Sequence, residues 1–471
     1  MRIGQRLAWV LAAVAWFGCS SARTNGTGPK GTGGDSNIDS DSGSSTPGMD
    51  EDDSGVLPVG PIDPPTPGLY PLATPGFDKW DLWAISVAAS GNTVVLGTPF
   101  ESSGASGLNG DELDRSLKNS GAAYVFQWNG TEWSKVQYIK AEKPISEARF
   151  GERVALHGDV LTISEIKGNG TRGAVHVYRS GASGFAYEAT LTASNGDLDD
   201  LFGYSVAVFG DAIVVGAPQE DSSSAGAPGS NDADAAGAVY VFRRTGGVWM
   251  EEQFVKLPVG VSSNAFFGRH LGFDGKHLMS GAFTKSSYNV RGLWLYEDMG
   301  AGFEFTSLMS FDSGDERQPL VDQLSGSAID APVALRGTVF ASGMRRRDGS
   351  TGPENGSVLS YDLADPSIVE VGGAILEPLD YGEELNGDGI LSSSEHFGRQ
   401  IDMTSTHLLV SDHSASPSGM QAAGAAHLYT RTNGTWTLQT TLTEPAPAKG
   451  RRFGLAVDLS EDSNLAVIAR Y

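Results

Sequence analysis

The sequence holds a single cysteine, Cys19, among 471 residues. One thiol per chain allows neither an internal disulfide nor a CxxC metal site. Positive charge is also scarce: 33 lysines and arginines face 57 aspartates and glutamates, a formal net charge of −24. A surface so acidic repels a phosphate backbone, which excludes nucleic acid as a partner. It favours solubility and suits divalent cations. After residue 18 no stretch approaches the roughly 18 consecutive apolar residues of a spanning helix, and none keeps a helical hydrophobic period. Catalytic signatures are missing as well: there is no G-x-S-x-G elbow, no H-E-x-x-H and no P-loop.

Glycine is abundant, at 62 residues, roughly twice average usage. Without a G-X-Y period this means many tight turns and many short strands. At the N-terminus, Arg2 and Arg6 precede an apolar run from Leu7 to Phe17, then Gly18 and Cys19. Residues 1–18 have the order of an export signal. They resemble a bacterial lipoprotein signal, which implies a lipid on Cys19 after cleavage; ordinary secretion with cleavage nearby is the alternative. Ser20, not Asp, follows the cysteine, which by the same resemblance favours the outer membrane. Residues 19–60 are rich in Gly, Ser, Thr, Asp and Pro and poor in large apolar side chains. Such a segment buries too little to offset its ordering entropy and reads as a tether. The folded body is expected over 61–471.

That body repeats. Residues 202–242 run Phe202-Gly203, the apolar strand Ser205–Phe209, the turn Gly210-Asp211, then Ile213–Val215, Gly216-Ala217-Pro218, a polar loop, and Gly237 to Phe242; Trp249 opens a fourth strand. The same order starts at Phe150, Phe267, Phe397 and Phe453, and in degenerate form at Trp83 and Ile329. Each complete unit holds four short strands separated by turn signals, as one propeller blade does. A lone blade cannot cover its own apolar faces, so neighbours must stack. The FG, GAP and GAVYVF elements resemble bacterial FG-GAP repeats, similar to those of the integrin α-subunit. The expected fold is an all-β, seven-bladed propeller of four-stranded antiparallel blades. The last unit stops after two strands, so Leu69–Leu72 is expected to supply its outer strand and close the ring by pairing the chain ends.

The sharpest chemical motif spans Glu384 to Glu395. Oxygen-bearing side chains of Glu384, Asn386, Asp388, Ser392 and Glu395, with the Ile390 carbonyl and a bend at Gly389, resemble an EF-hand-type calcium loop. Position one is Glu rather than Asp, and a polar turn between blades is the competing reading. The acidic loops at 111–114, 197–200 and 220–234 read as solvated turns. His176 and His427 take equivalent third-strand positions, and Trp133, Trp249 and Trp436 equivalent fourth-strand ones; both series read as packing. Arg345-Arg346-Arg347 forms a basic loop. These features point to an exported envelope propeller that binds a protein or glycan on its loops, with calcium as the candidate cofactor and the membrane met only through the lipid anchor. The long loops 98–120 and 217–236 are the first candidates for the contact surface. No catalytic residues are assigned. A polysaccharide hydrolase using paired carboxylates and a structural envelope component are the alternatives.

Overall fold

The computed structural model describes residues 8–12, 69–72, 84–258, 263–283, 291–310, 332–344, 357–362, 374–376, 397–463 and 465–470. All described strands belong to one compact unit, Met1–Ala15 with Pro64–Tyr471. The third repeat shows how each blade is made. Strands Ser205–Phe209, Ala212–Ala217, Ala238–Thr245 and Val248–Val255 pair antiparallel in chain order. The first turn is held at Phe209↔Ala212, and Val215 lies opposite Tyr240. Every residue of Ala212–Ala217 is buried. A strand covered on both faces by neighbouring blades needs a continuous apolar run rather than alternation. The fourth strand faces solvent on one side and buries only its Trp249 and Val255 anchors. It carries a register shift opposite Val241/Phe242, repeated at Val125/Phe126, Leu295/Tyr296 and Leu428/Tyr429.

Six such antiparallel meanders follow one another among the described residues. Their first, innermost strands are Ser86–Ser90, Phe150–His157, Ser205–Phe209, Leu271–Phe273, Val333–Arg336 and Ile401–Met403. Each lies against the next, and Ile401–Met403 lies against Val457–Ser460, which in turn meets Ser86–Ser90. This is an all-β propeller arrangement with four-stranded antiparallel blades.

The sheet of the last unit differs. Val457–Ser460 and Leu465–Ala469 pair antiparallel, but Ala8–Ala12 adds parallel to Leu465–Ala469 and Leu69–Pro71 adds parallel to Ala8–Ala12. Leu69–Pro71 is therefore the outermost strand of the last sheet, where the sequence put it, although its partner is not a C-terminal strand. The third position is held by Ala-Trp-Val-Leu-Ala, part of the residues read as an export signal. An apolar five-residue run satisfies the open edge of Leu465–Ala469 as a third blade strand would.

The FG and GA motifs lock adjacent blades. Phe150, Phe202, Phe267, Phe397 and Phe453 are all fully buried. Phe150, Phe267 and Phe453 form parallel bridges with Gly121, Gly237 and Gly424, the glycines that open the third strand of the preceding blade. The approach is close. A Cβ on Gly237 would sit 2.2 Å from the Phe267 carbonyl, and one on Gly268 would sit 2.2 Å from the Ala238 carbonyl; both glycines have positive φ, +78° and +84°. The motif is thus a paired backbone contact that only glycine permits.

Candidate binding face and axial cavity

The connections from second to third strand and from each fourth strand to the next blade meet at the FG motifs, so they share one side of the propeller. The longest described ones are 98–121 and 217–237. Each is anchored by a buried charge pair. Glu101 accepts from Lys140 Nζ at 2.8 Å and from Ser103 N at 2.8 Å, and Lys140 Nζ also reaches Ser120 Oγ at 2.7 Å. Glu220 accepts from Lys256 Nζ at 2.6 Å and from Asn195 Nδ2 at 3.1 Å. All four charged side chains are buried. Burial lowers the pKa of both lysines, and the facing glutamate works against that shift.

The fourth strands repeat the device. Gln137 bonds the backbone of Phe185 in the next blade, both N–H and carbonyl, and Gln253 does the same to Phe303. The hydroxyl of Tyr296 donates to the Lys256 carbonyl at 2.8 Å. Loop ends are tied to the next blade through the left-handed residues Asn119, Ala235 and Ala422, whose carbonyls accept from Arg149, Phe266 and Arg452 N–H. Asp200 lies beside the second long loop. Burial, reinforced by repulsion from Glu220, pushes its carboxyl up to about 6.

At the propeller axis the inner strands enclose a cavity of about 220 Å³. Its lining includes Arg153, Arg269, Arg336, Gln400, Asp402 and Asp458. Asp402 Oδ2 accepts from Leu459 N at 2.7 Å, and Asp458 Oδ2 from Ala89 N at 2.7 Å. Each carboxyl thus stitches its inner strand to the next, and burial raises both pKa values. Arg336 donates to the carbonyls of Leu335 and Phe273 and lies 3.7 Å from Glu461. Near the FG motifs, the guanidiniums of Arg153 and Arg269 lie 5.5 and 5.6 Å from the ring centre of Tyr204.

The repeated histidines pack. His176 Nδ1 meets Thr190 Oγ1 and Nε2 meets Glu165; His427 Nδ1 meets Thr441 Oγ1. Each ring also packs at a tilt against its own FG phenylalanine, Phe150 at 5.2 Å and Phe397 at 5.4 Å. Trp249 and Trp436 are buried and donate to Glu188 and Ser360 of the preceding blade. The calcium-type residues Glu384, Asn386, Asp388, Ile390, Ser392 and Glu395, the basic run at 345–347 and Cys19 lie outside the described residues. Among the described residues no group of three or more His, Cys, Asp or Glu is placed to hold a metal ion, and no helix is long and apolar enough to cross a membrane.

The sequence reading passed over the buried pairs and the axial charges. The pairs do leave a trace: Gly97-Thr-Pro-Phe-Glu101 with Gln137-Tyr-Ile-Lys140, and Gly216-Ala-Pro-Gln-Glu220 with Gln253-Phe-Val-Lys256. Both combinations occur in the units that carry the long loops. The axial arginines have no such signature, because their neighbourhood is made by three different units.

No curated protein matches the chain. Among solved structures it is similar to a "putative 6-phosphogluconolactonase" from Bacteroides uniformis, at TM-score 0.41 and 12% identity over 77% of this chain and 86% of that one. A second structure of the same description, from Bacteroides fragilis, gives TM-score 0.39 and 10% identity over 78% and 86%. These likenesses are too distant to bear on activity. The sequence model of the FG-GAP repeat matches residues 185–242, from the fourth strand of the second blade to the third strand of the third, and the flanking blades repeat its strand order in a propeller-like arrangement.

Proposed function

We propose that the chain is an exported binding propeller of seven blades, attached at the cell envelope through Cys19, that offers the loops of its FG side to a protein or glycan ligand. One observation carries the reading: the loops 98–121 and 217–237 are long, yet each is fixed by a buried Glu–Lys pair and by a latch to the next blade. Plain connections in compact folds are about 4–6 residues. Ordering roughly 20 residues costs conformational entropy that a mere connection need not, and a fixed loop on a rigid scaffold is the usual means of recognition. The unbroken series of inner-strand neighbours from Ser86–Ser90 to Val457–Ser460 and back supports the count of seven.

Calcium at Glu384, Asn386, Asp388, Ile390, Ser392 and Glu395 belongs to the same proposal, as a brace for the sixth blade. The hydrolase alternative would draw its acid and base from Asp402 and Asp458. Both are committed to backbone N–H groups of a neighbouring inner strand, which favours a structural role for them.

The test uses the full chain on arrays of defined glycans and peptides, beside variants in which 102–119 or 221–235 is replaced by a two-residue turn. Shortening is expected to reduce the bound signal at least tenfold with the fold retained by circular dichroism. Binding that survives both replacements overturns the placement. Calorimetry with calcium alone supplies the second arm: heat that disappears in Glu395→Gln supports the brace, and no heat in the unmodified chain removes it.

A further inference from the structure

In the last sheet the third position belongs to part of the segment read as an export signal. Ala8–Ala12 pairs on one side with Leu465–Ala469 over five residues and on the other with Leu69–Pro71 over three. The six other blades fill that position with the strand that follows in the chain, antiparallel, over six or seven residues. All of Leu465–Ala469 is buried: Leu465, Val467 and Ala469 pack with the first blade, Ala466 and Ile468 with the sixth. Removal of residues 1–18 therefore opens its edge toward the third position. Two facing strand edges, Leu465–Ala469 and Leu69–Pro71, then border a slot one strand wide, and backbone groups buried without partners are costly. The neighbouring chain offers no ready replacement. Leu69–Pro71 is short, and Pro71 has no N–H to give. Leu72 beside it is 1% exposed in the core shared with Leu465 and Val467, which pins that strand in the outer place. Residues 19–68 contain no five-residue apolar run free of glycine and proline.

We propose that cleavage of the export signal opens a strand-binding slot in the last blade, filled in the mature protein by an extended apolar segment of another protein. The inference rests on the reading of residues 1–18 as a signal that is removed. Strand addition takes its affinity from main-chain hydrogen bonds and its selectivity from the places given to side chains. The third strands of the first, second, third and sixth blades each begin with five buried residues, because neighbouring blades cover both faces. A guest strand in the last blade meets the same cover, so it must be apolar at successive positions rather than alternate ones. It must also lack proline, whose missing N–H leaves an edge carbonyl unpaired. Ala-Trp-Val-Leu-Ala meets these terms and is the guest that the uncleaved chain supplies. The pairing uses none of the residues of the long loops, so the slot is a second site beside the FG-side face.

The test uses the protein exported with its own signal in a heterologous bacterial host, beside the uncleaved full chain. Its mass is read first. A product that keeps residues 1–18 overturns the export reading, and the proposal with it. A product that has lost them is titrated with a labelled peptide of residues 7–13, Leu-Ala-Trp-Val-Leu-Ala-Ala, carrying a lysine tail for solubility, and binding is followed by fluorescence anisotropy. The cleaved chain is expected to bind the peptide at least tenfold more tightly than the uncleaved chain, whose slot is full. A Val10→Pro peptide, still apolar but unable to complete the pairing, and a Val10→Asp peptide should each bind at least tenfold more weakly. Bound peptide should slow amide hydrogen exchange in segments 465–469 and 69–72. Equal binding to both chains, equal binding of the Val10→Pro peptide, or protection only elsewhere overturns the slot and leaves the export reading intact. Slow exchange of 465–469 in the cleaved chain without peptide overturns it too, because the chain has then closed on itself. A dimer of the cleaved chain that the peptide dissociates overturns the choice of partner in favour of a second copy.

Discussion

Phe267 and Gly268 are neighbours fixed by different forces. The phenylalanine is fully buried and contributes in the manner of any buried aromatic. The glycine contributes no side chain; it is needed because its φ is +84° and because the Ala238 carbonyl would lie 2.2 Å from any Cβ. Gly91 separates the two requirements. Its φ is +56°, but nothing lies within 4 Å of a Cβ placed there. Gly91→Ala should therefore cost only the backbone term, about 1 kcal/mol. Gly268→Ala adds a clash with main chain that cannot rotate away, and should cost on the order of 3 kcal/mol or more. Urea unfolding of the two variants checks this; equal losses would mean that the blades do not approach as closely as the motif implies.

At the scale of elements, the strands and their order were legible in the sequence because turn residues and apolar runs are local signals. Gly210-Asp211 and Asn433-Gly434 both close turns where they were expected. The FG recurrences marked the starts of blades because each glycine answers a backbone constraint that no other residue meets. The Glu220–Lys256 pair left only a faint trace, a combination shared with Glu101 and Lys140: its members stand 36 positions apart, and a carboxylate in a polar loop looks solvated until the fold covers it. The histidines and tryptophans read as packing do pack. Once buried, the pair becomes asymmetric in its response to mutation. Lys256→Met leaves Glu220 as an uncompensated buried carboxylate and should cost about 3–5 kcal/mol. Its exposed counterpart Lys276, paired with Glu297 on the surface, should show little or no change in melting temperature on the same substitution, because solvent screens the pair. Thermal unfolding of both variants compares them, and a mild Lys256→Met would show that loop 217–237 is held by its backbone latch alone.

For the whole molecule, the seam between the last and first blades is the one place where adjacent inner strands are not joined by the chain running on from one blade to the next. Asp458 bridges it by accepting from Ala89 N. The bond needs an acceptor oxygen but not a charge, and burial raises the Asp458 pKa well above its ordinary value. A carboxyl raised in the folded state binds its proton more tightly there than in the unfolded chain. Its contribution is then complete below the unfolded value of about 4 and declines as pH rises through the folded pKa. Asn keeps the acceptor and removes the ionisation. Asp458→Asn should therefore match the unmodified chain in melting temperature near pH 4 and exceed it at pH 8. Asp458→Ala strands the Ala89 N–H and should lie about 1–3 kcal/mol below the Asn variant at both pH values. In native-state proteolysis it should cut first beside the seam, in the 86–98 and 457–469 strands. An Asn variant less stable than the parent at pH 8 would mean that the seam depends on the carboxylate charge, and that Arg336, which lowers the pKa of both Asp458 and Asp402, outweighs their burial.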